Sequence, residues 1–245
     1  MRYSFILLVI LFFGQNTLKA QPLNDSIHFN GESHFANIRQ LTFGGDNAEA
    51  YFSYDGKYLI YQYTNQAKGI NCDQIWMGKI PQEPNETFNP KLVSTGTGRT
   101  TCAFFYPDGK HIIYASTHLN SKECPPVPDR KKYGNKYIWP IYESFDLFKA
   151  DTNGKIIKQL TKTKGYDAEA TISPKGDKIV FTSMRDGDLE LYTMDINGKN
   201  VKRITHALGY DGGAWFSTDG SKIICRASRH TAETEIKEHK DLLAE

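Results

Sequence analysis

Long apolar stretches are scarce in this 245-residue chain. The one present, Tyr3-Ser-Phe-Ile-Leu-Leu-Val-Ile-Leu-Phe-Phe13, has eleven residues, whereas a bilayer span takes about twenty. It follows Met1-Arg2 and leads through a polar stretch to a small residue, Ala20. Residues 1–20 therefore read as a cleavable signal peptide and not as an anchor. No cysteine stands where a lipoprotein signal would carry one, so the expected product is a soluble periplasmic or secreted protein beginning near Gln21, with no membrane span after signal removal.

Net charge is missing too. Arg2 and Lys19 account for the formal +2, and beyond residue 20 acids and bases are equal in number. Bulk charge thus gives no attraction to nucleic acid or to an anionic membrane. Catalytic constellations are likewise absent: there is no Gly-x-Ser-x-Gly elbow, no His-Glu-x-x-His and no phosphate loop. Gly96-Thr-Gly-Arg-Thr-Thr101 departs from the dinucleotide fingerprint at its last glycine. The seven histidines show no metal-ligand spacing, and Glu235 and His239 read as one solvated helix face. A non-enzymatic chain with no cofactor and no metal is expected.

Cysteines number four. In an exported chain they make a disulfide plausible, and four cysteines leave three pairings open. Cys72 and Cys124 read as loop residues, Cys102 as part of an innermost strand and Cys225 as a small buried residue of a second strand. A disulfide within the set Cys72, Cys102 and Cys124 is expected.

What the chain does have is a repeat. Four times an acid- or base-bearing segment leads into an apolar strand, a tight glycine turn and a second apolar strand. The copies are Asp46-Asn-Ala-Glu-Ala-Tyr-Phe-Ser-Tyr-Asp-Gly-Lys-Tyr-Leu-Ile-Tyr61, Arg99-Thr-Thr-Cys-Ala-Phe-Phe-Tyr-Pro-Asp-Gly-Lys-His-Ile-Ile-Tyr114, Asp167-Ala-Glu-Ala-Thr-Ile-Ser-Pro-Lys-Gly-Asp-Lys-Ile-Val-Phe181 and Asp211-Gly-Gly-Ala-Trp-Phe-Ser-Thr-Asp-Gly-Ser-Lys-Ile-Ile-Cys225. Their turn glycines, Gly56, Gly109, Gly176 and Gly220, lie 53, 67 and 44 residues apart. That period, with loop insertions, marks a β-propeller of four-stranded antiparallel blades. Third and fourth strands follow in the third copy as Leu189-Glu-Leu-Tyr-Thr-Met-Asp195 and Asn200-Val-Lys-Arg-Ile-Thr205.

The reading is therefore all-β, with about three and a half blades over residues 37–230 behind a polar leader at 21–36. Residues 37–42 match an outermost strand without a blade of its own. Residues 231–245 read as a charged helical insertion within the fourth blade. Closed propellers need about four to eight blades, so the chain is expected to be an incomplete ring, six-bladed in full, that self-associates when isolated.

Innermost strands line the channel of a propeller. Asp46, Glu49, Arg99, Asp167, Glu169 and Asp211 are thus expected around one channel mouth, where they suit a basic peptide segment ahead of a hard cation such as calcium. The competing expectation is that these acids satisfy backbone N–H groups or pair with bases of a neighbouring blade, Arg185 among them. A long insertion at residues 119–142 adds Arg130, Tyr133, Tyr137, Trp139 and Tyr142 as contact candidates.

At Ile172-Ser-Pro-Lys-Gly-Asp-Lys-Ile-Val-Phe181 and Phe105-Tyr-Pro-Asp-Gly-Lys-His-Ile-Ile-Tyr114 the chain resembles the TolB-type propeller repeat family. The copies at Phe52-Ser-Tyr-Asp-Gly-Lys57 and Phe216-Ser-Thr-Asp-Gly-Ser221 lack its proline. The resemblance implies a non-enzymatic protein or peptide binding platform in the cell envelope. Its alternative is the propeller part of a larger prolyl-oligopeptidase-like peptidase whose catalytic domain lies beyond residue 245.

Overall fold

Short β-branched and aromatic runs bounded by Asp-Gly and Asn-Gly turns dictate hairpins, and the computed structural model shows them throughout. It describes Ile27, Phe29 and residues 31–35, 38–83, 85–134 and 138–245; of Arg130 only the backbone is described. The signal segment lies outside these residues, as do most of the leader and Tyr137. Contacts divide the chain into Met1–Leu41 and Thr42–Glu245. Residues 38–42, expected to match an outermost strand without a blade of its own, run without β pairing, and Asn37 lies outside the described residues.

The second unit is a succession of blades. Blade one is β1 (Asp46–Phe52), β2 (Tyr58–Asn65), β3 (Ile70–Lys79) and β4 (Lys91–Leu92). Blade two is β5 (Thr100–Phe105), β6 (His111–Ser116), β7 (Asp146–Asp151) and β8 (Ile156–Gln159). Blade three is β9 (Asp167–Ile172), β10 (Lys178–Ser183), β11 (Glu190–Asp195) and β12 (Lys202–Arg203). Blade four has β13 (Asp211–Phe216) and β14 (Ile223–Ala227), after which α1 (Glu233–Ala244) begins. Three four-stranded sheets and one two-stranded sheet result, each antiparallel and in chain order, and they do not close into a ring.

Every inner hairpin turns on a glycine with positive φ, from 65° to 71° at Gly56, Gly109, Gly176 and Gly220. Three of the four are braced by a serine whose hydroxyl donates to the turn aspartate: Ser53 to Asp55 at 2.6 Å, Ser173 to Asp177 at 2.5 Å and Ser217 to Asp219 at 2.5 Å.

The blades stack through one repeated contact. The second strand contributes Ile60, Ile113 or Val180, the third Ile75, Leu147 or Leu191, and the next blade answers with Ala103, Ala170 or Ala214. The small residue in the lead-in is thus the knob that lets neighbouring sheets approach. At the ends of the arc the same positions lack a cover. Ile224, counterpart of the fully buried Ile60, Ile113 and Val180, is 73% exposed, and Phe52, counterpart of the buried Phe105, is 65% exposed. Cys225, expected to be buried, is exposed on β14, the outer strand of the two-stranded sheet.

Candidate functional site

Each inner strand is interrupted at the same register. Between Ala48 and Tyr51, Thr101 and Phe104, Ala168 and Thr171, and Gly212 and Trp215, two residues face one on the partner strand. These are β-bulges, which re-aim side chains. The first bulge residue has a left-handed backbone in all four blades: Glu49 (φ 49°), Cys102 (49°), Glu169 (56°) and Gly213 (55°). Only the fourth is glycine, so three bulges carry a backbone cost of about 1 kcal/mol each.

All four bulge residues line one cavity of about 550 Å³. Its walls include the rings of Tyr51, Phe104, Trp139, Tyr142, Tyr210 and Trp215, with Gln62, Asp73, Arg99 and Arg226 between them. Within it the rings of Tyr51 (blade one), Phe104 (blade two) and Trp215 (blade four) meet at 4.8 to 5.9 Å, Phe104 edge to face with both of the others.

Glu169 organises the mouth. Its Oε2 accepts from the Tyr210 hydroxyl at 2.7 Å, the Gly213 N–H at 2.8 Å and the Thr182 hydroxyl at 2.9 Å. A side chain on Gly212 would collide with that oxygen and the Tyr210 hydroxyl, its Cβ lying within 2.3 Å of both, which explains the first glycine of Asp211-Gly-Gly. On the blade one side, Gln62 plays the equivalent part, taking the Cys102 N–H at 2.8 Å and the Thr101 hydroxyl at 2.7 Å. Backbone donors freed by a bulge are thereby satisfied by the preceding blade.

Burial, reinforced by Glu49, holds the Tyr51 phenol protonated; burial with Glu169 does the same for Tyr166 and Tyr210. The Cys102 thiol is pushed up by burial and by the Glu169 and Glu49 carboxylates. At neutral pH it is a thiol and not a thiolate nucleophile. The mouth thus presents hydroxyl donors, carboxylate acceptors and ring faces, a set suited to binding.

Of the lead-in residues proposed for the mouth, the structure brings Glu49, Glu169 and Arg99 together. Arg99 reaches across to Asp73 on β3. The other three lie elsewhere. Asp46 is exposed and is not among the lining residues. Asp211, fully buried, is bound by Arg229 at 2.7 Å, and Asp167 by Arg185 at 2.9 Å. Both pairs are 18 residues apart within one blade, so Arg185 serves its own blade and not a neighbour. A carboxylate at the first strand position faces the end of the second strand, whereas the two bulge glutamates line the cavity.

Two further positions differ from the sequence expectation. The disulfide joins Cys72 and Cys124, but Cys72 lies within β3 and not in a loop. His239 is no solvated helix residue: its Nε2 lies 2.8 Å from Asp188 Oδ1, and its ring stacks on His230 at 4.8 Å. Among the insertion candidates, Trp139 and Tyr142 reach the cavity, while Tyr133 donates to Glu245 beyond α1.

Successive four-stranded antiparallel sheets whose inner strands line one shared cavity are the blades of a β-propeller fold. Residues 142–242 match the TolB beta propeller domain. Its fold is similar to that of TolB from Acinetobacter baumannii, at 18% identity and a TM-score of 0.56, over 77% of this chain and 39% of that one. A chain of the nidogen/laminin complex is similar at 12% identity and a TM-score of 0.53, covering 75% of this chain and 57% of the other. Hydrazine synthase of Kuenenia stuttgartiensis gives 15% and 0.51, over 74% and 29%. The chain therefore spans well under two thirds of the length of these structures. No curated protein matches the sequence.

Proposed function

We propose that this chain is a non-enzymatic, exported binding platform that captures a protein or peptide in the cell envelope, a basic segment of the partner entering the channel mouth. The cavity carries the reading: bulges in the inner strands of blades one and three turn Glu49 and Glu169 toward one aromatic-walled space. Aromatic anchors beside desolvated polar groups are the composition of binding hot spots. A protonated thiol and phenols that stay donors leave the cavity without an activated nucleophile. The Cys72–Cys124 disulfide fits an oxidising compartment outside the cytoplasm, as does the apolar N-terminal run. One similar fold was solved within a complex of two proteins.

Calorimetric titration of the mature chain with lysine-rich, neutral and glutamate-rich peptides tests the reading. The lysine-rich set should bind, and Glu49→Gln should weaken it by about tenfold, the effect of losing one charge-assisted contact. Equal affinity for all three sets, or none for any, counts against it.

A further inference from the structure

The connection from β6 to β7 is the long insertion of blade two, and its described stretches, 117–134 and 138–145, are held at several separate points. The Gly98 N–H donates to the Lys122 carbonyl at 2.8 Å. Cys124 is bonded to Cys72 on β3 of blade one. The Tyr142 hydroxyl donates to the Pro126 carbonyl at 2.6 Å, drawing the two stretches together. The Trp139 ring meets Tyr210, the residue before β13 of blade four, edge to face at 5.9 Å. A loop that leaves blade two is thus anchored on blade one at one side and on blade four at the other. Trp139 at the second anchor, with Pro140 and Tyr142 just after it, lines the same cavity as Glu49 and Glu169.

We propose that this insertion is a strap that sets what the mouth accepts: pinned by Cys72–Cys124 and by Trp139, it keeps folded surfaces off the axis and admits only an extended peptide segment beneath it. The proposal rests on the peptide-binding reading above. A folded partner must bring a broad surface against the inner strands, and the strap already fills that approach. An extended segment presents one residue at a time, so it can pass between the strap's rings and the bulge carboxylates. The disulfide closes 52 residues of chain, removing the excursions that would let the strap swing clear.

Cys102 reports on the strap without any partner, because it is a free thiol lining the cavity, while Cys225 is a free exposed thiol that serves as reference. Each would be alkylated with N-ethylmaleimide and with a bulky polyethylene glycol maleimide. The ratio of the two rates at one cysteine cancels its thiolate fraction. In the intact chain the bulky reagent should be disfavoured at Cys102 by about tenfold more than at Cys225, a contrast read independently of thiol acidity. Cys72→Ser/Cys124→Ser should shrink that contrast several-fold and leave Cys225 unchanged. Trp139→Ala, which keeps the disulfide, should shrink it from the other end and carries the test if the first variant does not fold.

Equal discrimination at the two cysteines in the intact chain overturns the strap, as does a contrast that survives in both variants. So does a Cys102 that neither reagent reaches, since the mouth would then admit nothing. A screened, strap-dependent Cys102 in a chain that binds no peptide would instead sink the binding reading and leave the screen standing.

Discussion

Glu169 Oε2 and the Tyr210 hydroxyl lie 2.7 Å apart, and through that bond an inner strand of blade three grips the lead-in of blade four. The same oxygen takes the Gly213 N–H and the Thr182 hydroxyl, so its loss strands three donors. It sits on a residue whose own backbone is strained.

Two substitutions at Glu169 should therefore rank in an unusual order. Removing the acceptor should cost about 1–3 kcal/mol in either variant. Glu169→Gly also relieves the left-handed backbone, so it should be less destabilising than Glu169→Ala by about 1 kcal/mol. Urea unfolding midpoints of the two variants measure the difference, and an alanine variant as stable as the glycine one would remove the strain argument.

Arg185 neutralises a carboxylate that is almost wholly buried, and its guanidinium stacks on Phe181 and Tyr192 at 5.3 and 4.8 Å. Arg185→Ala should cost about 3–5 kcal/mol, because Asp167 is left as an uncompensated buried charge. Adding Asp167→Asn should recover part of that loss. A double variant no more stable than the single one would show that stacking, and not charge, is what Arg185 supplies.

Acid should weaken the hairpins together. Hydroxyls and backbone N–H groups hold Asp55 and Asp219 below the usual carboxylate range, and Ser173 does so for Asp177. At Asp108, partial burial pulls upward but is outweighed by His111 and the Lys110 N–H. A depressed carboxylate stabilises above its unfolded pKa of about 4 and loses that contribution as pH falls through the lower folded value. Asp167 and Asp146 are shifted up by burial and act in the opposite direction. Melting temperature should fall steeply below about pH 4, and the drop should be shallower when Asp55, Asp177 and Asp219 are all replaced by asparagine.

Uncovered blade faces favour association. Sedimentation of residues 21–245 should show self-association that Ile224→Glu suppresses, since Ile224 stands where Ile60, Ile113 and Val180 are buried between blades. A stable monomer from the unaltered chain would mean these faces need no partner.

Much of the fold was legible because its causes are local. Gly56, Gly109, Gly176 and Gly220 mark turns by their freedom at positive φ, and Ile179-Val-Phe181 can hardly be anything but a buried strand. The mouth was legible only in part. Nothing in Glu49, Cys102 or Glu169 announces a left-handed backbone, so strand alternation alone cannot tell which acids reach the axis. A signal was available in the fourth copy, where glycine occupies the bulge position. Asp167 with Arg185 and Asp211 with Arg229 share one 18-residue separation that the repeat exposes on alignment of its copies. The pairing of Cys72 with Cys124, and that of His239 with Asp188, each join a strand or helix to a loop far away in sequence, and no local pattern encodes them.

The bulge separates where a side chain points from what that side chain is. One register carries Glu, Cys, Glu and Gly in four successive blades while the hydrogen-bond ladder on either side is the same. The row of inner strands is in effect a dial whose teeth can be exchanged singly: a new acid, base or aromatic residue at any one of them rewrites the chemistry facing the cavity, and the inter-blade packing that keeps the dial rigid does not have to change with it.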